Sequence, residues 1–317
     1  MPTRIAWDDW PMVADGTGRL GTLIRDGLAA AQVVAREQGL PGADPVILSC
    51  RGNLVVHLAP APVVAKVATL TAWTRRDPFD WLAREVSVAD YAVRRGGPVV
   101  PPTGLAEPGP HRSGGLAVSL WTYLPPTADP PGPRPGPAEV GAALAALHGA
   151  LDGYPARLPW LSPALDQVTE GLAALDAGHV LGPARLAALR IRHAEIRAGL
   201  DRVDGPPVVL HGDAHGGNLL AGPDGWLWID LEETCHGPLA WDLAVLASAH
   251  GMATEESQVA LDAYAAASDR PVPGPGALAP FARARDLEAA VWALGMAHQY
   301  PARYREIAGS WLARILR

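Results

Sequence analysis

Apolar and polar positions follow strand-like runs over much of the first 124 residues of the 317-residue chain, and mainly helical spacing afterwards. Near the start, Leu20, Leu23, Ile24 and Leu28 recur every three or four residues, which predicts a helix. Short apolar runs that end at turn residues predict strands. The predicted elements are a helix over 17–38, two strands and a turn over 45–60, a third strand over 62–70, a helix over 78–95 and a strand over 115–126.

A proline-rich segment separates this part from the rest of the chain. Residues 125–137, PPTADPPGPRPGP, contain too many prolines for a helix or a central strand and therefore predict a linker. Helical spacing dominates the chain after this linker, except around 206–233, where GPDG joins two short strands. The predicted helices cover 138–151, about 163–178, 183–202, 238–250, 254–268 and 278–298, with a last segment from about 301.

This order of elements predicts an α+β fold with two lobes. A small β-rich N-terminal lobe would comprise residues 1–124 and would end in a hinge. A larger, mainly helical C-terminal lobe would comprise residues 125–317. The length of the chain is compatible with two units of ordinary size.

A polar loop interrupts the apolar runs at residues 211–218, HGDAHGGN. His211 and His215 lie four residues apart, as in zinc-binding helices, but the glycines disfavour a helix and no Glu follows His211. We therefore interpret the two histidines as braces of the loop rather than as metal ligands. Asp, Asn and Gly are also common turn residues, so a purely structural turn is the alternative interpretation.

Phosphoryl transfer accounts for the polar residues of this loop. That reaction needs a carboxylate that orients the attacking hydroxyl, oxygen ligands for Mg²⁺, and a cation at the phosphates. Asp213 can serve as the carboxylate, and Asn218 offers a neutral oxygen five residues later. Asp230 is predicted to end the strand WLWID beside the loop, so that Asn218 and Asp230 would form an oxygen site suited to Mg²⁺.

Composition points to one further residue. Lys66 is the only lysine among 26 basic residues. Because a lysine is a compact point charge and an arginine a wide planar fork, a lone lysine indicates a position at which a point charge is required. Alternation along the third predicted strand places Lys66 on the face opposite Val63, Ala65 and Val67.

Charge and hydrophobicity exclude several classes of partner. A net charge of −7 argues against nucleic acid as the main partner. No apolar run approaches the roughly 20 residues that span a bilayer, and the N-terminus lacks a signal-peptide pattern. The two distant cysteines, Cys50 and Cys235, suit a reducing cytoplasm. We therefore expect a cytoplasmic protein with no membrane association and no obligate protein partner.

The polar loop and the segment after it resemble a known family of kinases. HGDAHGGN is similar to the HGDxHxxN signature of the aminoglycoside phosphotransferase family, which also covers choline-kinase-like and other small-molecule kinases. Residues 229–244, IDLEETCHGPLAWDLA, are similar to that family's metal-binding Asp and the helix start that comes after it. The resemblance extends over nearly the whole chain and implies a bilobal, protein-kinase-like fold.

The resemblance also implies a role for each candidate residue. Asp213 would be the catalytic carboxylate, and Asn218 and Asp230 would bind Mg²⁺. ATP would be the co-substrate, and a hydroxyl of a small molecule would accept its γ-phosphate. The residues implied in nucleotide binding are Lys66 at the phosphates, Glu85 as its ion-pair partner, Gly52 in the phosphate loop, and Tyr123 and Leu124 in the hinge that meets the adenine.

The chain departs from the protein-kinase pattern in three respects. The segment SCRGN carries a single glycine, Gly52, where protein kinases carry three, and no segment resembles an activation loop, so a protein substrate is not expected. The residue two positions after Asp230 is Glu232 instead of glycine. Glu232 and Glu233 would face the acceptor and suit an amine-bearing sugar, with a solvated acidic pair as the alternative.

The acceptor stays open at this point. Candidates are aminoglycosides, amino sugars, choline-like amines, macrolides and other hydroxylated metabolites. Two other function classes are a non-catalytic nucleotide-binding pseudokinase and a hydrolase that uses Asp213 and the histidines. The presence of all five kinase positions argues against the first class, and the lack of a nucleophile motif such as G-x-S-x-G argues against the second.

Overall fold

The computed structural model describes residues 18–41, 44–70, 77–125, 134–161, 163–200, 206–248 and 254–316. Residues 126–133 of the predicted linker lie outside these ranges, as does the N-terminal stretch that lacks a signal-peptide pattern. Within the described ranges, no helix combines the length and the apolar character that crossing a membrane requires.

The first lobe is built on a five-stranded antiparallel sheet with the order β1–β2–β3–β5–β4. A helix precedes the sheet, and a second helix is inserted after the third strand. The second helix begins at Pro78, and the side chain of Asp77 caps it by accepting a hydrogen bond from the Phe79 N–H. The elements are α1 (Gly18–Glu37), β1 (Asp44–Cys50), β2 (Leu54–Ala59), β3 (Val63–Val67), α2 (Pro78–Arg94), β4 (His111–Ser113) and β5 (Leu116–Thr122).

Alternation along β3 sets the position of Lys66. Val63, Ala65 and Val67 are fully buried in the core that the sheet shares with α1. Because successive side chains of a strand point to opposite faces, Lys66 leaves the other face of the sheet and meets residues of the second lobe.

The second lobe consists of helices around two small antiparallel ribbons, in which β6 pairs with β9 and β7 pairs with β8. Its core contains the large buried side chains of Trp228, Trp241, Tyr264 and Phe281. A π-helical turn, Pro163–Gln167, precedes α4. The elements are α3 (Pro137–Leu151), α4 (Val168–Ala177), α5 (Pro183–Leu200), β6 (Val208–Leu210), β7 (Leu219–Gly222), β8 (Gly225–Trp228), β9 (Cys235–Gly237), α6 (Ala240–Ser248), α7 (Thr254–Ala267), α8 (Pro275–Gln299) and α9 (Pro301–Ile315).

The structure differs from the predicted elements at several boundaries. Strands β4 and β9 were not predicted, because HRS and CHG are three residues long and show no apolar alternation. The strand predicted over 115–126 ends at Thr122, and the strand predicted to end at Asp230 ends at Trp228. Helix α8 begins at Pro275, before the predicted start, because a proline at the first helical position lacks only an N–H that would have no partner there.

The two lobes are joined by α2 and the segment that comes directly after it. The Trp228 N–H donates to the Pro98 carbonyl at 2.8 Å, and the Val100 N–H donates to the Trp228 carbonyl at 3.0 Å. These bonds hold β8 against the first lobe, so the residues after β8 lie close to β3 and α2. The α+β fold with two lobes is thereby confirmed, whereas the boundary between residues 124 and 125 stays a prediction.

Candidate active site

The backbone of the polar loop is held by a buried carboxylate of α6. Asp242 accepts hydrogen bonds from the backbone N–H groups of His211 and Gly212, at 2.7 and 2.9 Å, and from His148 Nε2 at 3.0 Å. Gly212 has a φ of 93°, and a Cβ at this position would lie 2.3 Å from the Glu233 carbonyl oxygen. Only glycine combines this backbone conformation with this close approach. The loop is therefore fixed before any ligand arrives.

The two histidines brace the loop, as the sequence predicts. His211 Nε2 donates to the Ile229 carbonyl at 3.1 Å, and its Nδ1 accepts from the Asp213 N–H at 3.2 Å. Burial lowers the pKa of His211, which favours the neutral ring that this pair of bonds requires. His215 Nδ1 accepts from the Gly217 N–H at 3.0 Å. Both nitrogens of His211 are thus used to hold the loop.

Asn218 is oriented by the backbone of the residue five positions before it. Its Nδ2 donates to the Asp213 carbonyl at 2.9 Å, so its Oδ1 is the remaining acceptor of the amide. The Asn218 carbonyl in turn accepts from the Ile229 N–H at 2.9 Å. This bond places the loop directly beside the chain that leads to Asp230.

Asp230 does not continue the strand as predicted. It lies two residues beyond β8 in the left-handed region, with a φ of 64°, and precedes a 3₁₀ turn at Leu231–Glu233. A non-glycine residue with positive φ is uncommon, although Asp is among those that tolerate it. The reversal turns the carboxylate toward the first lobe, where Asp230 Oδ1 lies 2.6 Å from Lys66 Nζ.

Lys66 is surrounded by three carboxylates. Its Nζ lies 2.9 and 3.0 Å from the two oxygens of Glu85, 2.6 Å from Asp230 Oδ1 and 3.2 Å from Glu232 Oε2. Burial alone would lower the pKa of Lys66, but the carboxylates outweigh it and raise the pKa. Burial raises the pKa of Glu85 to about 7, against the opposing effect of Lys66. One ammonium and three carboxylates give this cluster a formal excess of two negative charges.

The two consecutive glutamates lie on different sides of the site. Glu232 Oε2 contacts Lys66 and also accepts from Asn53 Nδ2 at 3.0 Å, at the turn between β1 and β2. Glu233 Oε2 lies 3.4 Å from Nη1 of Arg285 on α8. The 3₁₀ turn points the two consecutive side chains in different directions, and Glu233 is the one that contacts the partner of Asp213. That these glutamates face the acceptor stays a prediction.

Arg285 and Glu288 are members of the site that the sequence analysis missed. Arg285 Nη2 forms an ion pair with Asp213 Oδ1, and Nη1 lies 2.7 Å from Glu288 Oε2. Burial alone would lower the pKa of Arg285, but Asp213, Glu288 and Glu233 raise it well above its usual range. Residues 283–288, RARDLE, hold four charged residues between apolar parts of α8, and this pattern does not single out Arg285 and Glu288.

The predicted nucleotide contacts lie on the first lobe. Gly52 lies in the turn between β1 and β2, next to Asn53. The Tyr123 ring stacks on His57 at 3.7 Å, and the Tyr123 N–H donates to the Pro62 carbonyl at 3.0 Å. Among the residues that the structure describes, no backbone acceptor reaches the N–H of Leu124. Leu124 itself lies just beyond the end of β5.

The oxygen atoms of Asn218 and Asp230 fit a magnesium site that includes phosphate. The carboxamide Oδ1 and the partly exposed Asp230 carboxylate are hard oxygen ligands on adjacent segments. Across the described ranges, no group of three or more His, Cys, Asp or Glu side chains could hold a metal by itself. Mg²⁺ needs no such group, since it commonly binds one or two carboxylates together with waters and substrate phosphates.

The chain is similar to a known enzyme family and to solved structures of kinases. The sequence model described as the phosphotransferase enzyme family matches residues 53–281. No curated protein matches the chain significantly. Among solved structures, the chain is similar to a choline/ethanolamine kinase family protein from Mesorhizobium loti, with 20% identity, a TM-score of 0.63 and coverage of 92% of this chain and 93% of the other.

Two further solved structures show the same similarity. The amicoumacin kinase hAmiN, in complex with AMP-PNP, Ca²⁺ and Ami, has 14% identity and a TM-score of 0.68, with 93% and 95% of the two chains covered. An aminoglycoside-3'-phosphotransferase of type VIII has 21% identity and a TM-score of 0.59, with 84% and 99% covered. These likenesses confirm the bilobal, protein-kinase-like fold. Because the family match spans more than half of the chain, the protein belongs to the phosphotransferase enzyme family.

Proposed function

We propose that the protein transfers the γ-phosphate of ATP to a hydroxyl of a small molecule that also carries a positive charge. The observation that carries the proposal is the 2.6 Å contact between Lys66 and Asp230. It joins the cation of the first lobe to a carboxylate of the second lobe, beside the loop that holds Asp213 and Asn218. A cation, metal ligands and a hydroxyl-orienting carboxylate are the parts that phosphoryl transfer requires.

The nucleotide would bind between the lobes. Lys66 would meet its phosphates, with Glu85 holding the ammonium in place from α2. The Leu124 N–H would donate to the adenine, while the Tyr123 side chain stays packed on His57. Gly52 would let the turn between β1 and β2 approach the phosphates closely. The complexes of the amicoumacin kinase with AMP-PNP and of a spectinomycin phosphotransferase with ADP support ATP as the co-substrate.

Asn218 Oδ1 and the Asp230 carboxylate would hold Mg²⁺. A metal ion held there would supply positive charge to the nucleotide phosphates. The contribution of the chain is to present these two oxygens in a fixed arrangement. Asn218 is held by the Asp213 backbone, and Asp230 is held by its left-handed conformation and by Lys66.

Asp213 would orient the acceptor hydroxyl and take its proton. Its Oδ1 forms the ion pair with Arg285, whereas its Oδ2 lies 3.4 Å from Asn218 Nδ2 and 3.5 Å from His215 Nε2. Ordinary hydrogen bonds are shorter than these two contacts. An arriving hydroxyl would therefore bind at Oδ2, because it would have to displace only these two weaker contacts there.

The charge around Asp213 favours a cationic acceptor. Asp213, Glu233 and Glu288 share the guanidinium of Arg285, which gives these four groups a formal excess of two negative charges. Opposite charge attracts and positions a ligand at such a site. Aminoglycosides, amino sugars and choline-like amines fit this charge better than neutral sugars. The similar structures named for choline/ethanolamine and for aminoglycosides support the same class.

We also propose that the protein works in the cytoplasm. The chain has only two cysteines, Cys50 and Cys235, and they lie far apart in the sequence, which suits a reducing compartment. The proposed reaction also requires access to a pool of ATP, which the cytoplasm supplies.

The test is a screen for acceptor-dependent ATP consumption. The purified chain is incubated with ATP and a panel of aminoglycosides, amino sugars, choline-like amines, macrolides and neutral sugars, with and without Mg²⁺. We expect turnover with at least one cationic compound, only with Mg²⁺, and none with Asp213→Asn. Nucleotide binding without turnover on any compound would favour a non-catalytic nucleotide-binding protein. Turnover on neutral sugars alone would overturn the assigned acceptor class.

A further inference from the structure

Arg285 links the candidate catalytic loop to a helix far along the chain. It lies on α8, and its two terminal nitrogens contact different carboxylates, with Nη2 on Asp213 and Nη1 on Glu288 and Glu233. Its side chain is 17% exposed, and Glu288, one helical turn later, is almost fully buried. The guanidinium is therefore anchored on both sides and is not a mobile surface group.

The contacts of the two Asp213 oxygens are unequal. The loop backbone is fixed by Asp242 and His211, so the direction of the carboxylate is set by what its own oxygens contact. Oδ1 forms the ion pair with Arg285, and Oδ2 has the longer contacts to Asn218 and His215. The ion pair is therefore the contact that fixes which oxygen turns toward α8 and which turns away from it.

We infer that Arg285 is a positioning residue for phosphoryl transfer: it anchors Asp213 Oδ1 so that Oδ2 faces the acceptor hydroxyl. The inference rests on the proposed function. A charge-assisted contact to a guanidinium restricts the carboxylate more than a neutral hydrogen bond does. The planar, forked shape of the guanidinium also contributes to this restriction, since it allows Arg285 to contact Asp213, Glu233 and Glu288 at the same time.

A positioning role of Arg285 can be distinguished by experiment from two other roles that its ion pair with Asp213 could have. A structural role would affect folding, because removal of the guanidinium leaves three neighbouring carboxylates without their shared cation. A placeholder role would mean that the acceptor's own cation displaces Arg285, so that removing the side chain would improve acceptor binding. Positioning instead predicts a loss of kcat that persists when folding is restored.

The experiment compares Arg285→Gln, Arg285→Lys and the double variant Arg285→Gln with Glu288→Gln. The double variant removes one positive and one negative charge, so the net charge of the cluster is unchanged. Arg314→Gln is the matched control. Arg314 forms an ion pair at 2.9 Å with Asp286, which is the residue of α8 directly after Arg285. Wild-type turnover with an acceptor is established first. The quantities measured are kcat, both KM values and Tm.

We expect Arg285→Gln to lower kcat by about 10²-fold, the scale of a misplaced reacting group, with the KM for ATP unchanged. Arg285→Lys should restore part of kcat, since the charge returns without the fork. The double variant should regain Tm but not kcat, and Arg314→Gln should match the wild type in turnover.

Two outcomes would overturn the inference. Recovery of kcat together with Tm in the double variant would leave Arg285 a structural role only. A lower acceptor KM with unchanged kcat in Arg285→Gln would make the guanidinium a displaceable occupant. Absence of wild-type turnover with every acceptor is a different result, and it would contradict the proposed function itself.

Discussion

Replacing Glu232 by glutamine is expected to strengthen the binding of metal-free nucleotide. Glu232 Oε2 lies 3.2 Å from Lys66 Nζ and 3.0 Å from Asn53 Nδ2. These are two groups of the first lobe that a phosphate would meet if the proposed function is correct. The glutamate therefore occupies a position that a phosphate oxygen has to take, and it carries the same sign of charge.

The magnitude follows from the geometry of the cluster. Two unit charges about 4 Å apart interact by about 4 kcal/mol at an effective dielectric constant of about 20. A glutamate side chain can turn away from an arriving phosphate and so relieve much of this repulsion. If about 1–2 kcal/mol remains, the Kd for nucleotide falls by about 5- to 30-fold in Glu232→Gln. The amide oxygen of the glutamine can still accept from Asn53, so the turn between β1 and β2 keeps its contact.

Isothermal titration calorimetry with ADP and ATP, with and without Mg²⁺, measures this change. Glu233→Gln is the matched control, because Glu233 is the neighbouring glutamate on the Arg285 side of the site. Its nucleotide Kd should equal that of the wild type. An unchanged or higher Kd in Glu232→Gln would show that Glu232 does not compete with the phosphates. Weakening that occurs only with Mg²⁺ would make Glu232 a metal ligand instead of a competitor of the phosphates.

Three further substitutions test the other assigned roles. Asp213→Asn should keep nucleotide binding and lose about 10²- to 10⁴-fold in turnover, the usual range for a general base; retention of more than about a tenth of the activity would contradict that role. Asp230→Ala should remove the Mg²⁺ dependence of ATP binding in a calorimetric titration, and an unchanged dependence would remove Asp230 from the metal site. Lys66→Arg should fold normally but lose about 10²-fold in turnover. The reason is that a guanidinium is too wide for the space between Glu85, Asp230 and Glu232. Turnover and Tm equal to those of the wild type would show that the point charge is not required.

The position of a side chain was predictable from the sequence where apolar residues recur at a regular spacing along its strand or helix. Alternation along VVAKV placed Lys66 opposite the apolar face of β3. The contact between Lys66 and Glu85 that the family resemblance implies is present in the folded chain. The glycines around Asp213 predicted a tight loop, and Gly212 adopts the positive φ that such a loop needs.

The remaining features depend on contacts between segments that are distant in the sequence. The spacing of apolar residues does not predict such contacts. Asp230 was expected to end the strand WLWID, but the left-handed turn after β8 points it at Lys66. Arg285 lies on a helix whose pattern is mainly apolar, and only the folded chain brings it to Asp213. The separation of Glu232 from Glu233 likewise arises from a 3₁₀ turn that has no sequence signature of its own.

In the proposed reaction, the chain moves a phosphoryl group from ATP to an acceptor hydroxyl at Asp213. The most direct measurement identifies the product, by mass spectrometry and ³¹P NMR, after incubation of ATP, Mg²⁺ and an acceptor from the screen with wild type and with Asp213→Asn. We predict a phosphate monoester on a hydroxyl of the acceptor with wild type and unmodified acceptor with Asp213→Asn. Release of free phosphate with an unmodified acceptor in the wild-type reaction would contradict the account.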